Sequence, residues 1–330
     1  MTNKRRLTGI KPTGTPHIGN YISAIRPSVE TAHSNSFFFI ADYHAITTLK
    51  NKELIQRYTL DVATTWIACG LDPEKVTFYK QSDIPELLEA YWILMSSCPK
   101  GLLNRGHAYK YSVQENQKKN KPIDEGINMG VYTYPALMAA DILLFSAEEV
   151  PVGADQLQHI EITRDIAEKF NAEYRETFIL PTAILEQTKD IPGIDGQKMS
   201  KSYKNTIELF SDKKIQEKQI MKIKTDTKGI EESKDPDQCK LFYLFSLFAS
   251  KEETEELRRA YKKGGVGYGT VKKKLAENIQ LYFKEAKEKY HNLKQNPEKV
   301  ENILSSGAIK ARKIAKKKLE ELKQIIGIKR

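Results

Sequence analysis

A loop near the amino terminus has the composition of an anion-binding site. This glycine-rich loop, residues 9–20, has the sequence Gly-Ile-Lys-Pro-Thr-Gly-Thr-Pro-His-Ile-Gly-Asn. We predict that it connects a short strand from Leu7 to a helix that begins at about Gly19. Free backbone N–H groups at a helix start, with glycines that permit close approach, favour a phosphate. A plain turn is the alternative interpretation, because loops rich in glycine and proline are common.

A second loop carries two lysines that could act on a polyphosphate. This KMSKS loop, Lys198-Met199-Ser200-Lys201-Ser202, follows Gly196 and an acidic stretch at residues 190–195. A mobile loop of this kind can bring two ammonium groups onto a polyphosphate as charge moves to the leaving group. A lysine- and serine-rich loop without such a role is the alternative, but all five residues match a known signature.

One carboxylate is predicted to lie inside an apolar helix. Asp141 is the only charged residue in the segment 134–145. Burying it costs several kcal/mol unless a hydrogen-bond donor pairs with it. An indole N–H is such a donor, and a slot lined by Met138, Val150 and Val152 would accept the ring. The alternative is a carboxylate that caps nearby backbone or pairs with a core arginine.

The elements that would position these residues alternate in the first 203 residues. We predict strands from Leu7 and at Ser36–Ala41, Val76–Lys80, Val150–Val152 and Thr177–Pro181. We predict helices at Lys52–Gly70, Glu86–Met95, Tyr134–Phe145 and Asp155–Phe170. Strand–helix alternation is typical of a doubly wound, Rossmann-like α/β domain with a parallel sheet.

The remainder of the chain is predicted to be all-helical and basic. The predicted helices are Glu217–Thr225, Lys240–Ala249, Glu252–Lys262, Gly269–Asn292 and Pro297–Ile326. Residues 1–203 carry 22 Lys and Arg against 24 Asp and Glu, whereas residues 204–330 carry 31 against 19. The whole excess of the net charge of +10 is therefore in the second part. This split favours a polyanionic partner, nucleic acid first, although a lysine-rich helical surface is the alternative.

Several protein classes are excluded by composition. Cys69, Cys98 and Cys239 form no C-x-x-C pair, which argues against a disulfide scaffold and against a cysteine-rich metal site. No apolar run approaches the roughly 20 residues that span a bilayer, and residues 1–9 contain no apolar signal segment. We therefore expect a cytoplasmic protein without a membrane partner, whose cysteines are reduced.

The two loops together resemble the signatures of class I aminoacyl-tRNA synthetases. Pro16-His17-Ile18-Gly19-Asn20 is a variant of the HIGH signature, and the KMSKS loop is complete. Three further stretches resemble the bacterial tryptophanyl-tRNA synthetase family: residues 42–47 (DYHAIT), 134–144 (YPALMAADILL) and 150–165 (VPVGADQLQHIEITRD). The resemblance covers essentially the whole chain and is weakest between residues 204 and 250.

The resemblance implies a two-step reaction. The carboxylate of L-tryptophan attacks the α-phosphate of ATP, with Mg²⁺ present, and gives tryptophanyl-adenylate and pyrophosphate. The 2′-OH of the terminal adenosine of tRNA(Trp) then takes the amino acid. The implied organisation is a catalytic domain at 1–203 that includes the KMSKS loop, a helical anticodon-binding domain at 204–296, and a C-terminal helix at 297–330 that packs back on the catalytic domain. The family also implies a homodimer.

The resemblance assigns residues to each site and no protein ligand to a metal. The implied catalytic residues are His17, Asn20, Lys198, Ser200 and Lys201. The implied ATP-binding residues are Lys11, Pro12, Thr13, Gly19, Asn20, Gly153, Ala154, Asp155, Ile191, Lys198, Met199, Ser200, Lys201 and Ser202. The implied tryptophan-binding residues are Gly9, His44, Tyr134, Met138, Asp141, Val150, Val152 and Gln156.

Some of these residues have specific implied roles. Asp141 would bind the indole nitrogen, and His44 would line the pocket wall. Tyr134 and Gln156 would hold the amino group of the substrate. Asp155 would accept a hydrogen bond from a ribose hydroxyl. In the basic helical part, the lysines at 272–274 and 316–318 are candidate contacts for tRNA phosphates.

The sequence departs from the family pattern at three single residues and in one loop. Lys11 stands where the family usually has Gln, Ala154 where it has an acid, and His17 where the bacterial branch usually has Thr. The cation at Lys11 could still bind a carboxylate or a phosphate. The loop before KMSKS, residues 191–196, is a compact variant.

Three rival functions remain open from the sequence. A tyrosyl-tRNA synthetase shares the fold and both signatures, but its pocket would need partners for a phenol O–H. A small nucleotidyltransferase of the same superfamily would lack the basic helical part. A non-catalytic RNA-binding paralogue is the third rival, and the intact lysines of the KMSKS loop argue against it.

Overall fold

A parallel sheet forms the centre of the molecule. The computed structural model describes residues 4–185 and 190–329. The predicted domain at 1–203 therefore includes residues 1–3 and 186–189 outside the described part, and the predicted segment at 297–330 includes residue 330 outside it. Within the described residues, the strands β1 (Arg6–Ile10), β2 (Ser36–Ile40), β3 (Thr77–Lys80), β4 (Glu149–Val152) and β5 (Thr182–Leu185) are all parallel, in the order β3-β2-β1-β4-β5. The predicted α/β class is confirmed.

The helices account for most of the remaining chain. Their bounds are α1 (Ile18–Asn20), α2 (Arg26–Glu30), α3 (Asp42–Ala45), α4 (Lys52–Ala68), α5 (Glu86–Ser97), α6 (Lys100–Leu103), α7 (His107–Lys118), α8 (Met129–Leu144), α9 (Leu157–Glu173), α10 (Lys213–Met221), α11 (Lys240–Ser246), α12 (Lys251–Lys263), α13 (Tyr268–Tyr282), α14 (Lys284–Gln295) and α15 (Pro297–Ile325). A π-helical turn at Tyr21–Ile25 joins α1 to α2, and short 3-10 turns lie at Gln81–Asp83, Ala154–Gln156 and Lys201–Tyr203.

The sheet is covered on both faces, which explains the continuous apolar run of β2. All five residues of β2 are buried. Phe37 and Phe39 pack with α5, α8 and α9, whereas Phe38 and Ile40 pack with α4 and with helices beyond residue 204. Because successive strand residues point to opposite faces, each face needs its own apolar cover.

Two predicted elements are placed differently in the structure. The strand predicted at Thr177–Pro181 is wrong, because the backbone N–H groups of Thr177 and Phe178 donate to the side chain of Asn171 and the strand begins only at Thr182. The single helix predicted at Gly269–Asn292 is two helices that meet at Phe283. The ring of Phe283 is buried against Tyr21 and two further aromatic rings.

The helical part shares its core with the sheet. Leu241, Leu275 and Tyr290 belong to the same apolar cluster as Phe38 and Trp66. The predicted domain boundary between residues 203 and 204 does not coincide with a break in this shared core. The boundary therefore stays a prediction. In the described chain, no helix has the length and apolar character to cross a membrane.

The last helix crosses the edge strand of the sheet at a glycine. The first half of α15 packs in the cluster that contains Phe38, and its second half packs on the opposite face with α5 and α8. At the crossing, a methyl group added to Gly307 would lie 1.8 Å from the carbonyl oxygen of Phe78. The guanidinium of Arg312 also binds both carboxylate oxygens of Glu86 on α5. α15 is thus fixed to the sheet edge by contact with backbone.

Gly307→Ala is expected to destabilise the protein by about 3 kcal/mol, because β3 and α15 must separate to admit the methyl group. Gly269→Ala is the matched control, since a methyl group there meets nothing within 4 Å. At this position in the first turn of α13, alanine should be neutral or stabilising by up to about 1 kcal/mol. Urea unfolding of both variants measures the difference. Equal midpoints would contradict the close crossing.

Candidate active site

A deep cavity of about 500 Å³ opens beside the carboxyl ends of β1 and β4. All eight residues predicted for the amino acid site line it: Gly9, His44, Tyr134, Met138, Asp141, Val150, Val152 and Gln156. Lys11, predicted for ATP, also lines it. Carboxyl ends of parallel strands meet at one edge of the sheet, which is why segments far apart in sequence converge there.

Asp141 lies at the buried side of this cavity and is 2% exposed. Both of its carboxylate oxygens accept from Nε2 of Gln81 at 2.8 Å, and Oδ2 also lies 3.0 Å from Nε2 of His44. Burial raises the pKa of Asp141, and the hydrogen bond from His44 opposes that rise. The partners are an amide and an imidazole, so neither the backbone cap nor the core arginine of the alternative interpretation is present.

Gln81 is a positioning residue that the sequence analysis missed. It is fully buried in the turn after β3, and its Oε1 accepts from the backbone N–H of Tyr43 at 3.0 Å. One amide thus fixes the start of α3 and orients the carboxylate of Asp141. A polar residue directly after a buried parallel strand was the available signal.

Tyr134 is held by a second missed residue, His159. The Tyr134 hydroxyl lies 3.0 Å from Nε2 of His159, which also lines the cavity. Burial, with His107 and His44 nearby, lowers the pKa of His159 to about 4, so the imidazole is neutral at pH 7. The Tyr134 hydroxyl can therefore donate to His159 and present its lone pairs to a cationic group in the cavity.

The glycine-rich loop begins α1 with a reciprocal cap. Nδ1 of His17 accepts from the backbone N–H of Asn20 at 3.3 Å, and Oδ1 of Asn20 accepts from the N–H of His17 at 3.2 Å. Burial and the charge of Lys201 lower the pKa of His17 to about 4. Because Nδ1 is an acceptor in a neutral ring, the proton is on Nε2, which makes His17 an uncharged donor.

The KMSKS loop lies directly against the glycine-rich loop. Sδ of Met199 accepts from the backbone N–H of Gly19 at 3.3 Å. Gly14 has a φ of +133°, which favours glycine, and a methyl group there would lie 3.1 Å from Nζ of Lys201. Ile191 is 4% exposed in the same core cluster as Met199, and its carbonyl accepts from the Met199 N–H at 2.7 Å. The two predicted signature loops are therefore in direct contact.

The two lysines of the KMSKS loop lie in different surroundings. Nζ of Lys198 pairs with Asp190 at 2.9 Å in an exposed position, within electrostatic range of Asp155. Lys201 is half-buried beside Gly14. The structure thus places the Lys198 ammonium group within electrostatic range of Asp155, in the Gly153–Gln156 turn, and the Lys201 ammonium group beside the glycine-rich loop.

Asn205 organises the KMSKS loop and was also missed by the sequence analysis. It is 1% exposed, its Oδ1 accepts from the N–H of Ser200 at 2.7 Å, and its Nδ2 donates to Asp195 and to the carbonyl of Lys198. Ser200 Oγ in turn accepts from the N–H of Ser202 at 3.3 Å. The side chain of Asn205 therefore holds the backbone of the KMSKS loop at Lys198 and Ser200.

The remaining predicted residues lie on the glycine-rich loop or on the turn at Gly153–Gln156. Asp155 is exposed and folds over Gly153, where an added methyl group would lie 2.8 Å from its Oδ1. Nζ of Lys11 donates to Thr47 at 3.3 Å, and partial burial lowers the pKa of Lys11. Pro12 is buried, whereas Thr13 and Ala154 are exposed. Within residues 4–185 and 190–329, no group of three or more His, Cys, Asp or Glu side chains could hold a metal ion.

A pH dependence follows from Lys201. Burial lowers its pKa from 10.5 to about 8, so its ammonium form is lost as the pH rises through that value. If Lys201 binds a phosphate, kcat/KM for ATP should decline above about pH 8, because this ratio reports the free enzyme. Lys201→Arg should remove that decline, since a guanidinium stays charged. If kcat/KM for ATP declines in the same way in Lys201→Arg, the decline comes from the titration of another group.

The predicted phosphate contacts of the helical part are only partly available. Nζ of Lys318 donates to the carbonyl of Thr177 at 2.8 Å and its side chain is 11% exposed, so this prediction is wrong. Lys272 donates to a carbonyl of α10, and Lys274 pairs with Glu253 at 3.1 Å. Lys273, Lys316 and Lys317 are exposed.

Comparisons with known proteins point to one family. Residues 2–284 match the family model described as tRNA synthetases class I (W and Y). The chain is 47% identical to a tryptophan–tRNA ligase of Neisseria meningitidis, covering 100% of this chain and 99% of the relative. The chain is also 47% identical to the tryptophan–tRNA ligase of Pseudomonas putida, and this match covers 98% of the chain and 74% of the relative.

Solved structures agree with the sequence relatives. A tryptophanyl-tRNA synthetase from Campylobacter jejuni, complexed with ADP and tryptophan, superposes with a TM-score of 0.88 at 45% identity over 98% of this chain and 99% of the other. The enzyme from Aeropyrum pernix has a TM-score of 0.70 at 20% identity, which shows a shared fold.

Proposed function

The chain belongs to the class I tRNA synthetases of the tryptophan and tyrosine group, and we propose that its deep cavity binds tryptophan while its two signature loops bind ATP. Its activity is that of a tryptophan–tRNA ligase, which forms tryptophanyl-adenylate and then charges tRNA. Asp141 is the observation that carries the assignment of the cavity, because it is a buried carboxylate that still lines the open space.

The first step needs positioning more than proton transfer. The tryptophan carboxylate is itself the nucleophile, so no general base is required, and holding it in line with the α-phosphate lowers the barrier. We place the indole N–H on Asp141, with the ring between Met138, Val150 and Val152. The amino group lies at Tyr134 and Gln156, which directs the carboxylate towards the glycine-rich loop.

Charge stabilisation comes from both signature loops. Nε2–H of His17 and the amide of Asn20 donate to phosphate oxygens, with the hydroxyl of Ser200 beside them. Lys198 and Lys201 bind the pyrophosphate as it leaves. Asp155 accepts from the ribose, and Lys198 exchanges Asp190 for phosphate when ATP is bound.

The donor set fits a magnesium ion that is carried by the nucleotide. The proposed phosphate contacts are the ammonium groups of two lysines and the neutral donors of the glycine-rich loop, whereas Mg²⁺ prefers carboxylate and phosphate oxygens. We propose that Mg²⁺ binds the phosphates of ATP and neutralises part of their charge, with Lys198 and Lys201 holding the remaining oxygens.

The helical part is proposed to bind the tRNA. Its net charge is positive, and Lys273, Lys316 and Lys317 are exposed for phosphate contacts. The anticodon-binding role of residues 204–296, the packing role of residues 297–330 and the homodimer belong to the same proposal. Binding that depends on such contacts weakens steeply as salt rises.

Aminoacylation tests the complete reaction. Purified protein, ATP, Mg²⁺ and radiolabelled tryptophan should charge a tRNA(Trp) transcript, and a tRNA(Tyr) transcript should stay uncharged. Lys273→Ala combined with Lys316→Ala and Lys317→Ala should raise KM for tRNA and leave adenylate formation unchanged. Charging of tRNA(Tyr) with tyrosine would overturn the proposal.

A further inference from the structure

A polar cluster around Asp61 joins the glycine-rich loop to helix α14. Asp61 is on α4 and is 4% exposed. Its Oδ2 accepts from Oγ1 of Thr15 at 3.2 Å. Its Oδ1 accepts from the hydroxyl of Tyr290 at 3.1 Å and lies 3.1 Å from Nζ of Lys294. This buried carboxylate has no part in the reaction described above, yet donors from two distant segments hold it.

Thr15 places this cluster next to the phosphate-binding surface. Thr15 follows Gly14, whose backbone lies against the side chain of Lys201. It precedes Pro16 and the cap formed by His17. The hydrogen bond to Asp61 therefore fixes the middle of the glycine-rich loop. This point lies between Gly14, which is next to Lys201, and His17, and both Lys201 and His17 are proposed to bind phosphate.

The charge of Asp61 also supports the proposed phosphate site, through its effect on Lys201. Its negative charge opposes the lowering of the Lys201 pKa by burial and so favours the ammonium form. Lys294 balances the same carboxylate from α14 and also donates to Tyr290 at 3.1 Å. Because α14 supplies two of the three donors, the position of α14 determines how firmly Asp61 holds Thr15.

We infer that Asp61 is a positioning residue for ATP, which anchors the glycine-rich loop through Thr15 and is itself held by Tyr290 and Lys294 of α14. The inference rests on the proposed role of the two loops as the ATP site. It assigns α14 a direct structural connection to that site.

Thr15→Val removes one hydroxyl from an exposed position and leaves the rest of the cluster intact. It should raise KM for ATP in pyrophosphate exchange about tenfold, as expected for a lost hydrogen bond to a charged acceptor, with KM for tryptophan and the unfolding midpoint unchanged. Thr15→Ser should restore the wild-type value. Thr31→Val is the matched control, because the Thr31 hydroxyl donates only within its own helix, to Pro27.

A double-variant cycle tests whether Thr15 and Asp61 act as one unit. Asp61→Asn should also raise KM for ATP, and adding Thr15→Val to it should cause little further loss, because the shared contact is already broken. Tyr290→Phe should raise KM for ATP about threefold through the lost donor to Asp61. Multiplicative losses in the double variant, or a wild-type KM for ATP in Thr15→Val, would overturn the inference.

The failure of the proposed function would be distinguishable from the failure of this inference. If the unsubstituted chain exchanges pyrophosphate with no amino acid, the proposed function fails. Calorimetric titration with ATP and Mg²⁺ then replaces KM as the readout. Weaker ATP binding by Thr15→Val supports the role of Asp61, and unchanged binding overturns it.

Discussion

Asp141→Ala is expected to lower kcat/KM for tryptophan by roughly a hundredfold or more, because a charged hydrogen-bond partner of the indole N–H is lost. The alanine also leaves Gln81 and His44 without the carboxylate that both now bind. KM for ATP should stay near the wild-type value, since the hydrogen-bond partners of Asp141, Gln81 and His44, lie outside both signature loops. Pyrophosphate exchange at varied tryptophan concentration measures the effect.

Asp141→Asn separates the charge from the packing. Asparagine has the same size and can still accept one hydrogen bond, so its loss should be smaller than that of alanine. Circular dichroism and the unfolding midpoint show whether the alanine variant keeps its fold. Unchanged tryptophan kinetics in a folded Asp141→Ala protein would remove Asp141 from the site.

Lys201→Met should lower kcat for adenylate formation by roughly 10²–10³-fold, the typical effect of removing one group that stabilises transition-state charge. Lys201 is half-buried against the loop proposed to bind phosphate, so its ammonium group is already in place before ATP arrives. Single-turnover formation of the adenylate measures the step without product release.

Lys204→Met serves as the control for that variant. Lys204 is in the same loop region and is exposed, so it should retain full activity. Lys198→Met should also lower kcat, although Lys198 must first leave Asp190. A wild-type kcat in Lys201→Met would contradict the proposed role of the loop.

Short-range pattern predicts the fold and the composition of the cavity. The apolar run at 36–40 and the alternation of strands and helices are local signals, and they indicate a parallel sheet. The eight residues predicted for the amino acid site come from the strands β1 and β4 and from helices and turns that follow or precede a strand. The topology of such a sheet brings those segments to one edge. The resemblance to the synthetase family indicated which residues of those segments belong to the site.

Some residues that the sequence did not reveal act through contacts between distant segments. Gln81 binds Asp141 across 60 positions and Tyr290 binds Asp61 across 229. The position of Gln81 after a buried strand marks it as a candidate, but a single sequence contains no signal that pairs it with Asp141 or pairs Tyr290 with Asp61. The break at Phe283 has a similar origin, since distant aromatic rings bury a side chain that local pattern would leave inside one helix.

ATP–pyrophosphate exchange with each of the twenty amino acids measures most directly whether the cavity selects tryptophan. We expect exchange with tryptophan at micromolar to millimolar KM and none with tyrosine above background, because a buried site built for one N–H rejects a ligand that lacks it. Exchange with tyrosine and not with tryptophan would contradict the assignment of Asp141 and of the cavity.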